Sequence, residues 1–128
     1  MENRINAHTP WITLMILVTI ESSLEGFRLP VLGLHIEDKI VHFLIFGILG
    51  WLLIRGFTME GKAWIRQNAY RLAFFTGFIF AVSDELHQLM VPGRSSSVWD
   101  LLADTLGILL FIWGYHQKQK RQSPDMAI

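Results

Sequence analysis

The stretch from Ser83 to Gly107 constrains the fold most, because it concentrates ionisable side chains around a Pro92-Gly93 turn between two apolar segments. Its charged, imidazole and amide residues are Asp84, Glu85, His87, Gln88, Arg94, Asp100 and Asp104. Two pairs in this set are spaced by four residues, so each of those pairs shares one helix face. A charged side chain in the middle of a bilayer costs about 2.5–3.5 kcal/mol. We therefore expect these side chains to face protein or water rather than lipid.

The composition predicts a small membrane protein. Of the 128 residues, 52% are hydrophobic and 17% are charged, whereas soluble domains carry about 25% charged residues. This length predicts a single domain over residues 1–128. The lack of cysteine excludes disulfides and thiolate metal sites, and a net charge of zero argues against nucleic-acid binding.

Four apolar segments predict an all-α integral membrane bundle of four transmembrane helices, at about residues 10–27, 38–54, 72–90 and 98–115. The purely apolar part of the first segment, 11–20, is too short for a crossing that needs about 20 residues, so this span has to include Glu21. No small-x-small cleavage site follows it, so we interpret it as a retained span. Residues 55–71 are predicted to form a polar linker, and the residues after 115 a frayed polar tail.

Small residues predict the packed face of the third span. Ala73, Gly77 and Ala81 are spaced by four, a pattern typical of closely packed transmembrane helices. The same face continues into the polar residues at 84–88, which are therefore predicted to point into the bundle. The row could serve packing within one chain or between copies, so a homo-oligomer remains open. Close helix approach is also predicted at Gly47, Gly50 and Gly107.

Basic residues predict the orientation of the four spans. The N-terminus, the middle linker and the C-terminus share one side, which carries eight lysines and arginines, and the other side carries three. Cytoplasmic segments are enriched in these residues, so both termini are predicted to lie in the cytoplasm. The candidate site residues then lie toward the outer face: Glu21, Asp38, Lys39, His42, Asp84, Glu85, Gln88, Arg94, Asp100 and Asp104.

The candidates in the first two spans also have purely structural interpretations. Glu21 could mark the end of its helix at the interface, and Asp38 could stabilise the positive start of the next helix. Lys39 could extend to the interface, where its ammonium meets water. His42 lies about one turn further inside, where a histidine is often a hydrogen-bonded packing residue.

The start of the fourth span allows a similar alternative. Ser97 and Asp100 have the spacing of a capping box, with aspartate in place of the usual glutamate or glutamine. Asp104 lies beyond the first helical turn, so capping does not explain it.

Three motifs together resemble the VanZ-like membrane family over about residues 10–115. They are D-K-I-V-H-F at 38–43, S-D-E-L-H-Q-L-M-V-P-G-R at 83–94 and D-L-L-A-D-T-L-G at 100–107. The positions that match the family pattern are Asp38, Lys39, His42, Asp84, Glu85, Gln88, Pro92, Gly93, Arg94, Asp100 and Gly107. The resemblance implies a small multi-pass protein of the cell membrane that acts at the cell surface, in a family named for a link to teicoplanin resistance. This chain has Asp104 where the family often has asparagine.

The function that the residues favour is binding or handling of a cell-envelope lipid or a lipid-linked precursor. Arg94, with Lys39, would pair with a phosphate or carboxylate. The acids and His42 would hold those cations and contact hydroxyl or amine groups.

Two other functions stay open. One is a hydrolase or transferase acting on a lipid-linked substrate, with His42 or a desolvated acid as general base. Two histidines, His42 and His87, together with several carboxylates could also bind a divalent metal ion. No HExxH motif or comparable ligand spacing is present, so no metal site is predicted and no cofactor is assigned. The other is a structural role, in which the polar residues clamp the helices together and a partner protein carries the function.

Overall fold

The protein is a bundle of long α-helices. The computed structural model describes the backbone of residues 2–24, 35–93 and 96–122, and the side chains of 6–24, 39–93 and 96–122. All regular structure in these ranges is helical, which confirms the all-α prediction. The helices are α1 (Glu2–Ser23), α2 (His35–Thr58), α3 (Ala63–Gln67), α4 (Ala69–Met90) and α5 (Val98–Gln122).

Two of these helices are long and apolar enough to cross a membrane. They are α2, over Lys39–Thr58, and α5, over its whole length. Helices α1 and α4 have 22 residues each, but neither reaches the same hydropathy within the described residues. The spans over α2 and α5 agree with the sequence, and the four-span arrangement stays a prediction.

The helix ends differ from the sequence-based boundaries in three places. Helix α1 begins at Glu2, so Pro10 lies within the helix and not at its start. Contacts to the rest of the bundle hold this first part of α1, because Ala7 is fully buried and the His8 ring is hydrogen-bonded to the Glu60 carboxylate. The predicted linker 55–71 is mostly helical, since α2 continues to Thr58 and α3 lies within it.

The third difference is the C-terminal segment. Instead of fraying after residue 115, α5 continues to Gln122. Contacts to other helices hold this extension, because His116 Nδ1 lies 2.8 Å from the Tyr70 hydroxyl and the Lys118 ammonium lies over the ring of Trp51. Basic residues in the last turn also suit the negative end of the helix dipole.

Helix α2 lies at the centre and packs against α1, α4 and α5. Its residues Phe46, Leu49 and Leu53 are almost fully buried. Glycines bring α5 close to it, as predicted: a Cβ on Gly50 would lie 3.1 Å from the backbone of Ile108, and one on Gly107 would overlap the Phe43 carbonyl. The α2–α5 contact is therefore backbone against backbone, which fixes how their polar residues face each other.

The predicted small-residue face of α4 is confirmed. Its buried residues are Ala69, Ala73, Gly77, Ala81, Asp84, Glu85 and Gln88. The opposite face carries large apolar side chains in the open, with Phe75 57% and Ile79 63% exposed. Helix α1 is similar, with Ile16 and Leu17 more than half exposed. Besides its apolar core, the bundle thus buries several carboxylates and exposes many large apolar side chains, which is unusual for a water-soluble protein.

One end of the bundle joins the N-terminal segment, the α2–α4 connection and the end of α5. His8 Nε2 lies 2.7 Å from Glu60 Oε2, and the Thr58 and Tyr115 hydroxyls are 3.1 Å apart. Arg55 donates to the Asn6 carbonyl at 3.0 Å. These contacts confirm that the three segments share an end, and the polar residues lie at the other end.

Candidate functional site: a buried polar cluster

Nine polar side chains from four helices and the 96–97 segment meet at one end of the bundle. We call them the polar cluster: Ser22, Lys39, His42, Asp84, Glu85, Gln88, Ser96, Asp100 and Asp104. Four of its carboxylates are almost fully buried, with exposures from 0% for Asp104 to 6% for Glu85. Burial of a charged carboxylate without a partner costs a large amount of free energy, so the groups that contact these four carboxylates determine the chemistry of the cluster.

The first group of contacts joins α1 to α4. Asp84 Oδ1 accepts a hydrogen bond from the Ser22 hydroxyl, and Asp84 Oδ2 accepts one from Gln88 Nε2 at 3.1 Å. Gln88 Nε2 also lies 3.4 Å from Ser22 Oγ. Asp84 and Gln88 share the face that their spacing predicted, and both oxygens of this carboxylate have donors.

The second group joins α2, α4 and α5. His42 Nδ1 lies 2.8 Å from Asp104 Oδ1, a hydrogen bond in which the ring N–H donates to the carboxylate. Glu85 Oε1 lies 3.8 Å from the same nitrogen. The ring of His42 stacks on Phe46, with an interplanar angle of 3°. Packing and hydrogen bonding together fix the imidazole between two acids.

The third group lies at the start of α5. The Lys39 ammonium forms an ion pair with Asp100 Oδ1. Ser97 Oγ accepts a hydrogen bond from the Asp100 backbone N–H at 3.1 Å, as expected for a helix cap. The capping interpretation therefore holds for Ser97, whereas the Asp100 side chain points to Lys39. Ser96 Oγ donates to Glu85 Oε2 at 2.7 Å, which ties the segment before α5 to α4.

Three buried oxygens in the cluster accept no hydrogen bond from any residue that the structure describes: Glu85 Oε1, Asp100 Oδ1 and Asp104 Oδ2. Lys39 balances the one on Asp100 through the ion pair. His42, Glu85 and Asp100 each offer one ligand atom, and these atoms lie within 4.8 Å of one another. This is the set of described side chains in the cluster that could hold a metal ion.

Seven of the ten predicted site residues meet in the cluster: Lys39, His42, Asp84, Glu85, Gln88, Asp100 and Asp104. Glu21 is half-buried in α1, beside Ser22. The Asp38 side chain and Arg94 lie outside the described residues. The His87 Nε2 lies 2.9 Å from the Ser23 hydroxyl, and His87 is not among the side chains placed to share a metal ion with His42 in the described part of the chain.

Ser22 and Ser96 were not predicted as site residues. Both are small hydroxyl residues next to predicted ones, and a serine within an apolar helix is the signal that could have indicated Ser22. Its burial is complete, at 0% exposed. Such a hydroxyl needs a partner, and Asp84 supplies it.

The family model described as VanZ/LLP1 matches residues 3–119. The chain belongs to the VanZ/LLP1 family. No curated protein and no solved structure matches it. Membership in the VanZ/LLP1 family and the two apolar helices fit a membrane protein. The matched region contains all of α2, α3 and α4 and the whole polar cluster.

Proposed function

We propose that this VanZ/LLP1 protein is a multi-pass protein of the cell membrane whose polar cluster binds the headgroup of an envelope lipid or a lipid-linked cell-wall precursor. In this proposal all four long helices cross the bilayer. Both termini lie in the cytoplasm, and the polar cluster opens toward the outer face.

The observation that carries the proposal is the burial of four carboxylates, beside a partly buried lysine and histidine, at one end of a bundle with an apolar exterior. Exposed residues on α4 and α5 near this end include Leu89, Met90 and Trp99, at 65%, 81% and 69%. Large apolar side chains at such exposure suit contact with acyl chains. A lipid held in this bilayer would have its headgroup at the depth of the cluster.

The chemistry of the cluster suits a headgroup with both charged and hydroxyl groups. Lys39 lies in it and could contact a phosphate, and Arg94 is predicted to do the same by bidentate pairing. The unpaired oxygens of Glu85 and Asp104 could accept hydrogen bonds from hydroxyl or ammonium groups. Those two contacts would supply hydrogen-bond donors to oxygens that receive none from the described residues.

The test compares Arg94→Ala with Lys62→Ala, an exposed basic residue in the α2–α3 connection. We expect both variants to be inserted and abundant in membranes. Only Arg94→Ala should lose the lipids that co-purify with the wild-type protein in native mass spectrometry, and with them any effect on teicoplanin susceptibility. An inserted Arg94→Ala protein that retains the same lipids would refute the proposal.

A structural clamp is the second candidate, because the contacts of the cluster link different helices. Ser22 joins α1 to α4, and His42 and Lys39 join α2 to α5. Such networks can specify helix register without adding much stability. Under this alternative, Arg94→Ala would disappear from the membrane while Lys62→Ala stays.

An enzyme acting on a lipid-linked substrate would use the His42–Asp104 pair. A histidine oriented by a carboxylate at 2.8 Å is a suitable general base. Turnover of a polyprenyl-phosphate substrate by the purified protein, and its loss in His42→Ala, would favour this function over binding alone.

A further inference from the structure

We propose that His42, Glu85 and Asp100 form a binding site for a divalent metal ion such as Zn²⁺ or Mn²⁺. This site lies in the polar cluster but does not depend on the lipid proposal, because metal binding can be measured without lipid substrate. No spacing in the sequence indicated it.

The first argument is the convergence of ligands from three helices. His42 comes from α2, Glu85 from α4 and Asp100 from α5, and their ligand atoms lie within 4.8 Å of one another. Ligands at about 2.0–2.2 Å from one ion lie about 3–3.5 Å apart in ordinary geometries. An ion would therefore need to draw these atoms together by only about an ångström, which side-chain rotation can provide.

The second argument is the unsatisfied oxygen of Glu85. Its side chain is 7% exposed, and Oε1 lies 3.8 Å from His42 Nδ1 and accepts no hydrogen bond from the described part of the chain. Its other oxygen already accepts from Ser96. A buried carboxylate oxygen that lies close to an imidazole nitrogen and a second carboxylate is in a suitable position to bind a metal ion.

The third argument is charge. The cluster holds four buried carboxylates, and Lys39 is the permanent cation among its described side chains. A dication would neutralise part of the negative charge that these carboxylates bring together. In the structure Lys39 pairs with Asp100, so we infer that an entering metal ion displaces the ammonium from that carboxylate.

The ligand set indicates the type of metal. One imidazole nitrogen with two carboxylate oxygens suits Zn²⁺ or Mn²⁺, whereas Mg²⁺ and Ca²⁺ prefer oxygen ligands alone. An ion bound at His42 Nδ1 would take the place of the proton that this nitrogen donates to Asp104 Oδ1 at 2.8 Å. The imidazole would then carry its proton on Nε2, and Asp104 would lie beside the ion.

The experiment measures Zn²⁺, Mn²⁺ and Mg²⁺ binding to the full chain in detergent, without a histidine tag, by calorimetry. We expect one Zn²⁺ or Mn²⁺ per chain and at least tenfold weaker Mg²⁺ binding. Glu85→Gln and His42→Ala should each weaken Zn²⁺ binding by at least tenfold. The matched control is His8→Ala, which removes a histidine from another His–Glu pair, at 2.7 Å, at the opposite end.

Two further measurements keep the inference testable if a variant does not fold. Lys39→Met should bind Zn²⁺ more tightly, because it removes the competing ammonium. X-ray absorption of the Zn²⁺-loaded wild-type protein should show one imidazole and carboxylate oxygens. Absence of binding in the wild type, an imidazole-free shell, equal losses in His8→Ala, or lost binding in Lys39→Met would overturn the inference.

Discussion

Substitution of Gly107 by alanine tests the close contact between α2 and α5. A Cβ at this position would lie 3.0 Å from the carbonyl carbon of Phe43 and 3.1 Å from the backbone nitrogen of Gly47, and it would overlap the Phe43 carbonyl oxygen. All three are backbone atoms, so no side-chain rotation relieves the overlap. The two helices would have to separate, and this would also move Asp104 away from His42.

The size of the effect follows from two opposing contributions. Overpacking of a core contact costs up to about 3 kcal/mol, and alanine in place of glycine favours a helix by about 1 kcal/mol. The net loss is about 2 kcal/mol, which lowers the Tm of a domain of this size by roughly 8 °C.

Thermal unfolding in detergent, followed by circular dichroism of the helices, measures this change. Gly114→Ala is the matched control on the same helix, because the nearest atom to its Cβ is a Trp51 ring carbon at 3.8 Å, an ordinary contact. We expect the Tm of Gly114→Ala to be unchanged or raised. Equal Tm values for the two variants would refute the argument that backbone contact sets the α2–α5 distance.

Three further predictions address the cluster and the topology. Ser22→Ala removes a donor from a buried carboxylate and should lower stability by about 1–3 kcal/mol, whereas Ser83→Ala, whose exposed hydroxyl bonds a helix carbonyl, should change it little. Asp104→Asn should keep the wild-type Tm, since its amide oxygen can still accept a hydrogen bond from the His42 ring N–H, whereas Asp104→Ala should lower the Tm. An equal decrease in Tm for the two variants would count against a stabilising role for this hydrogen bond. The chain has no cysteine, so single introduced cysteines can report which side of the membrane each helix end faces. A membrane-impermeant maleimide should label Val98→Cys in intact cells and Lys62→Cys only after permeabilisation. The reverse labelling pattern would show that the predicted orientation is wrong.

Helical periodicity explains why much of the cluster could be predicted. The row Ala73, Gly77 and Ala81 defines one face of α4, and residues three, four and seven positions further on necessarily lie on or beside it. The cost of charge in a bilayer then selects the buried face for Asp84 and Glu85. This reasoning needs only one helix at a time, so no tertiary information is required.

The contacts between helices could not be predicted in the same way. His42, Glu85 and Asp100 come together only because α2, α4 and α5 pack at a particular register, which close contact at Gly107 helps to set. Ser22 likewise meets a carboxylate 62 residues away.

The helix ends were also missed, because polarity alone does not end a helix. Arg66 donates to the carbonyls of Glu60 and Gly61 at 2.7 and 2.6 Å, which orders a connection that the sequence predicts only as a polar linker. His8 and Lys118 extend α1 and α5 by contacts to other helices.

The bond between Ser22 and Asp84 has a consequence for biosynthesis. The acceptor on α4 is synthesised 62 residues after its donor on α1, so a newly made α4 carries a carboxylate whose partner entered the bilayer earlier. If both helices cross the membrane, α1 has to stay beside the insertion machinery until α4 emerges. Dispersal of α1 into the lipid before that moment would leave the Asp84 carboxylate without this donor, and a charged aspartate in the bilayer costs about 2.5–3.5 kcal/mol.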